Sequence, residues 1–253
     1  MSVKLGIVVP YRDRAEHLAV FVPHLRNFFA RQPDFSVRVL ISEQAHGRSF
    51  NRGFMNNVGF EVLAPEIDYV CFHDVDLLPE VADYRGSDWP AMLISRGLHP
   101  SLAPAVIRQL FSAVVMMNKT QFSDANGFSN NYWGWGFEDV DLRERLLRVG
   151  CRIDHREGIF TRLPHTDLGS LSDGRPTPDH VTNKARYVSL WFDQTPEGFV
   201  RKQQPGDFWL KDGLSKLGRI RTVLSRRQLE TSDGVVVEHI VVEPLHWQRE
   251  DEC

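Results

Sequence analysis

The chain has 253 residues, 42% of them hydrophobic and 25% charged, with a formal net charge of −3. That balance fills a sizeable core and excludes a disordered polypeptide, and the absence of any Lys/Arg run excludes the basic face a nucleic-acid partner requires. No segment approaches the ~20 apolar residues of a membrane span, and three scattered cysteines (Cys71, Cys151, Cys253) cannot build a disulfide framework or a thiolate zinc site.

Residues 3–9 form an apolar run that stops at Pro10 and predicts a buried strand. A charged loop holding Arg12, Asp13 and Arg14 follows. Residues 15–31 then place Leu18, Phe21, Val22, Leu25, Phe28 and Phe29 at helical spacing, with Pro23 as a possible kink. Val37 to Ile41 is a second strand, Phe50 to Leu63 a second helix, and Tyr69 to Phe72 a third strand ending in His73-Asp74-Val75-Asp76. This alternation predicts an α/β fold with a mostly parallel central sheet, whose ligands bind beyond the carboxyl ends of the strands.

Residues 83–105, rich in Pro, Gly and Ser, read as a long surface segment, and Leu110 to Met117 as another strand. Asn126-Gly127 marks a turn. Asp139 to Val149 reads as a helix stopped by Gly150. Residues 166–180 read as a mobile loop of the kind that covers transferase sites. Residues 218–224 and 235–242 alternate as a C-terminal β-hairpin around Ser232-Asp233-Gly234. With no internal repeat, residues 1–253 read as one domain, with a nucleotide-binding part over 1–80 and an acceptor-binding part over 81–253.

Four groups of residues carry chemistry. Asp74 and Asp76 project to one side of an extended segment and offer oxygens to Mg²⁺ or Mn²⁺; solvated acids at a strand end look the same. In Trp133-Gly134-Trp135-Gly136-Phe137-Glu138-Asp139, glycines permit unusual backbone angles and tryptophans offer flat faces to sugar C–H groups. The acids there start a helix, where negative charge is favoured, and one could take a proton from a sugar hydroxyl. A Gly-rich turn packed by core Trp is the plainer reading. His165-Thr166-Asp167 could complete a metal site with Asp76. Arg12, Arg14 and Arg52 could bind a base or a diphosphate, or simply keep the surface soluble.

In this order the motifs resemble the β1,4-galactosyltransferase family (glycosyltransferase family 7). The resemblance rests on Val9-Pro10-Tyr11-Arg12-Asp13-Arg14, Phe50-Asn51-Arg52, Asn57-Val58-Gly59-Phe60, His73-Asp74-Val75-Asp76-Leu77-Leu78-Pro79, the Trp-Gly-Trp-Gly segment and Gly213-Leu214-Ser215. Within the family the xylosylprotein β1,4-galactosyltransferase branch looks nearest. The resemblance implies a GT-A fold, a UDP-sugar donor, Mn²⁺, and single displacement with inversion that forms a β-linkage to an acceptor sugar hydroxyl, O4 being the expected one. It implies donor contacts from Pro10, Tyr11, Arg12, Arg14, Phe50, Arg52, Asp74, Val75, Leu110, Trp135 and Glu138. Acceptor contacts would come from Tyr132, Trp135, Asp139 and Val140, and the metal would sit on Asp76, His165 and Asp167. Asp139 would be the general base.

The chain departs from the family in three ways. Val140 stands where the family has an acid that helps hold the acceptor, so that Glu138-Asp139-Val140-Asp141 looks like chondroitin-type β1,4-N-acetylgalactosaminyltransferase domains. Leu110-Phe111-Ser112-Ala113 stands where the galactosyl enzymes have an aromatic followed by Gly-Gly. Leu110 would make room for a 2-N-acetyl group, so UDP-N-acetylgalactosamine joins UDP-galactose as an expected donor. The cysteines of the animal Golgi enzymes are not reproduced as a set. A bacterial-type cytoplasmic protein, or one peripheral to the inner membrane, is expected, or a Golgi lumenal one if an anchor has been removed. A UDP-sugar- or glycan-binding protein of the same fold that has lost turnover is the alternative, and a metal-dependent phosphoesterase a weaker one.

Overall fold

A computed structural model describes residues 2–98, 103–107, 110–164, 175–232 and 234–245. The elements are β1 (Val3–Tyr11), α1 (Ala15–Phe29), β2 (Phe35–Gln44), α2 (Arg52–Leu63), β3 (Tyr69–His73), β4 (Leu77–Val81), β5 (Ala91–Met92), α3 (Pro104–Ile107), β6 (Val114–Asn118) and α4 (Lys119–Asp124). After them come α5 (Glu138–Arg148), β7 (Asp154–His155), β8 (Ile159–Arg162), α6 (Pro178–Trp191), β9 (Phe192–Thr195), β10 (Gly198–Arg201), α7 (Leu214–Leu217), β11 (Arg221–Ser232) and β12 (Val235–Pro244).

An eight-stranded sheet runs β11-β12-β2-β1-β3-β6-β5-β7. It is parallel across β12, β2, β1 and β3, and antiparallel where β11, β6 and β5 join. The mostly parallel sheet expected from the alternation is therefore its middle, and the whole is mixed. β1 is buried from Leu5 onward because helices and connections cover both of its faces, the situation that yields an unbroken apolar run instead of an alternating one. On one side α2 lies so near that a Cβ at Gly59 would come within 2.3 Å of Val8 Cγ1. Glycine, with no side chain of its own, lets the helix backbone sit this close to the Val8 side chain.

Several local expectations change. The described part of 83–105 is a surface segment only in part, with Arg85, Gly86, Asp88, Arg96 and Gly97 exposed. Tyr84 is fully buried, packed edge-on against Phe28 and Phe29, and Ala91 to Ile94 are buried around the short strand β5. Two residues of pairing leave no periodicity to detect. The strand expected over 110–117 begins at Val114, because Ala113 turns the backbone to φ 66. Residues 165–174 lie outside the described part. The remainder of the loop expected over 166–180 includes the start of α6, where Thr177 caps the helix by accepting from the His180 amide at 3.3 Å. The terminal hairpin is present as β11 and β12, with two register shifts in β11. No helix among the described residues is long and apolar enough to cross a membrane.

Candidate active site

The carboxyl ends of β1, β2 and β3 and the first turns of α2 and α5 meet at one edge of the sheet. Asn51 fixes the geometry there. Its side-chain oxygen caps α2 by accepting from the Phe54 amide at 2.8 Å, while its Nδ2 donates to the Asn130 carbonyl at 2.7 Å. Its own amide donates to Gln44 Oε1 at 2.7 Å. With the first helical residue so placed, Arg52 projects to where the two main motifs converge. Its Nε and Nη2 donate to Asp74 Oδ1 at 2.9 and 2.7 Å, and its Nη1 to Glu138 Oε1 at 3.4 Å. Burial pulls the Arg52 pKa down, but the charges of Asp74 and Glu138 outweigh it, so the guanidinium is held charged.

Glu138 is buried beneath this contact. Burial first, and then the charge of neighbouring Asp139, push its carboxyl up to about 7 against the opposing pull of Arg52. Asp139 is half-buried, and its Oδ1 accepts from the Val140 amide at 2.7 Å. Its charge acts on Arg52, and it is more open to solvent than Glu138. Asp141 belongs to the core: it accepts from Trp191 Nε1 at 2.7 Å, Arg145 Nε at 2.7 Å and the Tyr132 hydroxyl at 3.2 Å. Tyr132, expected at the acceptor, is only 1% exposed and spends its hydroxyl on Asp141, so it supports the floor of the site from below.

Among the donor-side residues, Arg12 lies over the Phe50 ring at 5.4 Å and donates to the Arg48 carbonyl at 2.6 Å. Pro10, Tyr11 and Val75 are buried. Arg14 is half-buried at the start of α1. Leu110 packs partly against the core, and its carbonyl lies 2.6 Å from His155 Nε2. Behind the Asp74 backbone lies His73, fully buried. Its Nδ1 lies 3.0 Å from the Asp74 carbonyl and its Nε2 3.0 Å from the Tyr84 hydroxyl. A carbonyl only accepts, so Nδ1 carries the proton and Nε2 accepts from Tyr84. Burial lowers the His73 pKa to about 4, which keeps the ring neutral.

Asp76 is buried, and Arg162 Nε is 3.7 Å from its Oδ2. The Leu163 amide donates to the Asp76 carbonyl at 2.7 Å, continuing the β4–β8 ladder. The other expected metal ligands, His165 and Asp167, lie outside the described residues. Among the described residues no three His, Cys, Asp or Glu side chains cluster as a metal site would require.

The Trp-Gly-Trp-Gly segment takes left-handed angles at Gly134 (φ 75), Gly136 (φ 96) and Phe137 (φ 75). The Gly134 amide donates to the Phe50 carbonyl at 2.8 Å, which joins this segment to the donor side. Trp135 is 44% exposed, a flat face open to a ligand, whereas Trp133 lies under Arg48 at 5.5 Å. Three contributors escape a reading of the sequence: Arg48 from the loop before α2, and His180 and Asn183 from α6. His180 lies against the Trp135 and Phe137 rings at 5.0 and 5.2 Å, and Asn183 donates to the carbonyls of Trp133 and Trp135. The only local signal of His180 and Asn183 is a polar position on a helix, and that of Arg48 a basic position in a loop, which many surface residues share.

Residues 1–85 match the family model for the N-terminal region of glycosyl transferase group 7, and residues 95–167 the model described as the N-terminal domain of galactosyltransferase, together more than half of the chain. The chain is 33% identical over 162 residues to beta-1,4-galactosyltransferase 7 of Drosophila melanogaster, covering 62% of this chain and 49% of that protein. It is 39% identical over 171 residues to human beta-1,4-galactosyltransferase 4, covering 64% and 49%. The chain spans about half the length of these curated relatives. The crystal structure of the catalytic domain of Drosophila beta-1,4-galactosyltransferase 7 with xylobiose superposes with a TM-score of 0.70 at 24% identity, over 96% of this chain and 94% of that one. A mutant of the same enzyme, complexed with manganese, UDP-Gal and xylobiose, gives 0.68 at 24% identity and the same coverage. This likeness establishes the GT-A fold.

Proposed function

The chain belongs to the group 7 glycosyltransferases, and from that premise we propose that it transfers a galactosyl-type sugar from a UDP-sugar to a hydroxyl of an acceptor sugar, with inversion. The observation that carries this reading is Arg52, which bonds to Asp74 of the strand-end motif and to Glu138 of the Trp-Gly-Trp-Gly segment at once. Two motifs far apart in the sequence are thus joined through one side chain, and Asp139 is half-buried next to Glu138.

In this reading the uridine end lies among Pro10, Tyr11, Arg12, Arg14 and Phe50, and Asp74 and Glu138 take hydroxyls of the donor sugar. The open face of Trp135 supports the acceptor ring. Asp139 takes the proton of the attacking hydroxyl as its oxygen bonds to the anomeric carbon; the bond from that carbon to the diphosphate breaks and UDP leaves with the electron pair. Asp76, His165 and Asp167 would hold Mn²⁺, a carboxylate–imidazole set suited to that ion. Leu163 supports this assignment, since its amide donates to the Asp76 carbonyl and brings the described chain beside Asp76. The bound ion would supply charge neutralisation for the departing diphosphate.

UDP-galactose is the donor that the relatives' names suggest. Leu110 supports UDP-N-acetylgalactosamine as a second donor, and acceptor O4 is the proposed attacking atom. Val140 favours one other reading, a binding protein without turnover. The deciding experiment is UDP release with each donor, Mn²⁺ and a panel of xylosides, glucuronides and N-acetylglucosamine glycosides. Acceptor-dependent release with one member supports the transferase. Mn²⁺-dependent UDP binding with no release on any acceptor would overturn it and leave the binding protein.

A further inference from the structure

The exposed face of Trp135 is held by a helix that no motif identifies. The glycines at 134 and 136 leave this segment without regular backbone pairing of its own, and the Trp133 and Trp135 carbonyls turn toward α6. There the Asn183 side chain, 3% exposed, donates from Nδ2 to both, at 3.0 and 3.2 Å. One turn earlier, His180 packs against the Trp135 ring at 5.0 Å. Beside it, Asp179 lies so near Gly134 that a Cβ there would come within 2.0 Å of its carboxylate. The α6 surface is therefore the mould in which the Trp-Gly-Trp-Gly segment is cast.

We propose that Asn183 is the positioning residue that sets the tilt of Trp135, and with it acceptor affinity. This inference rests on the acceptor role assigned to Trp135. An amide at 183 is needed because both groups facing it are acceptors. A carboxylate would set oxygen against two carbonyls, and alanine would leave both without this donor. The segment meets the uridine residues through the Gly134 amide on the Phe50 carbonyl and through Trp133 under Arg48, contacts that Asn183 does not itself make, so UDP binding should change far less than acceptor binding.

The test compares the unmodified chain with Asn183→Asp and Asn183→Ala. Acceptor KM and UDP dissociation in the presence of Mn²⁺ are measured for each, with thermal melting as the check of folding. A displaced platform should raise acceptor KM roughly 10-fold or more in both variants, while UDP affinity stays within about 2-fold. Asn183→Ala decides alone if Asn183→Asp does not fold. An acceptor KM equal to that of the active unmodified chain overturns the inference, as does a parallel loss of UDP affinity, which would mark Asn183 as a general structural residue. Failure of the underlying reading looks different: the unmodified chain itself would release no UDP with any acceptor.

Discussion

Arg52 places two of its donors, Nε and Nη2, on a single oxygen of Asp74, at 2.9 and 2.7 Å. The planar fork of guanidinium makes this possible, and its remaining arm reaches Glu138 at 3.4 Å. A lysine would carry the same charge as one compact ammonium and could not hold both carboxylates in these orientations. Arg52→Lys is therefore expected to lower kcat/KM for the UDP-sugar by about 10²-fold or more, with melting temperature little changed. Activity within a few-fold of the unmodified chain would show that the fork does not organise the donor site.

Asp139 follows Glu138 in the first turn of α5 and is half-buried. Asp139→Asn keeps its shape and its bond from the Val140 amide but cannot accept a proton. It should bind UDP normally and lose at least about 10²-fold in kcat. Near-normal turnover would remove Asp139 from the role of base.

Glu138 makes a prediction about pH. Its carboxyl ordinarily titrates at 4.5, and burial with the Asp139 charge raises it to about 7 in the folded chain. The folded state then binds this proton more tightly than the unfolded state does. Its contribution to stability is full below 4.5 and is lost as pH rises through about 7. Glu138→Gln, which stays neutral, should flatten the fall in unfolding free energy between about pH 5 and about pH 8. Denaturation curves of equal pH dependence for the two proteins would contradict this.

Leu110 is the residue expected to set donor choice. Leu110→Tyr adds bulk and a hydroxyl, and should shift the ratio of kcat/KM toward UDP-galactose over UDP-N-acetylgalactosamine by ~10-fold. An unchanged ratio, measured with both donors side by side, would remove Leu110 from specificity.

Ala113 sits at φ 66, and its carbonyl receives the Asp74 amide at 3.0 Å. An alanine in this region is strained, whereas glycine adopts the angle freely. Ala113→Gly should stabilise the chain by about 0.5–1 kcal/mol, relief of the backbone outweighing the greater freedom of the unfolded glycine. Chemical denaturation measures it, and a loss of stability would show that the surroundings have adapted to the methyl group.

The parts legible in the sequence are those in which one physical cause acts locally. The apolar runs of β1 and β3 follow from burial on two faces, and Asn126-Gly127 from the positive φ that both residues adopt. Asp74 and Asp76 could be placed near a strand end by pattern alone. Tyr84, Tyr132 and Asn183 could not, since each owes its position to a partner on another element. Tyr84 meets Phe28 and His73, Tyr132 meets Asp141 beneath the acceptor segment, and Asn183 meets carbonyls of a segment much earlier in the chain. Periodicity records how a residue relates to its own element and is silent about such meetings. Arg52 was legible as a basic residue at the start of a helix, but its grip on two acids emerges only when α2, β3 and α5 are assembled.

The pairing of β12 with β2 sets the timing of that assembly. Val235 lies opposite Val37 and Val242 opposite Gln44, so β2 becomes an interior strand only when a segment from the other end of the sequence docks beside it. On a ribosome, β1, β2 and β3 emerge early and can pair, yet β2 must wait with one side of its backbone unclaimed until β12 has been synthesised. Such distant pairings slow folding and leave a strand edge open to wrong partners. The strands that end at Tyr11 and just before Asp74 are thus translated well before the strand that closes the sheet beside β2.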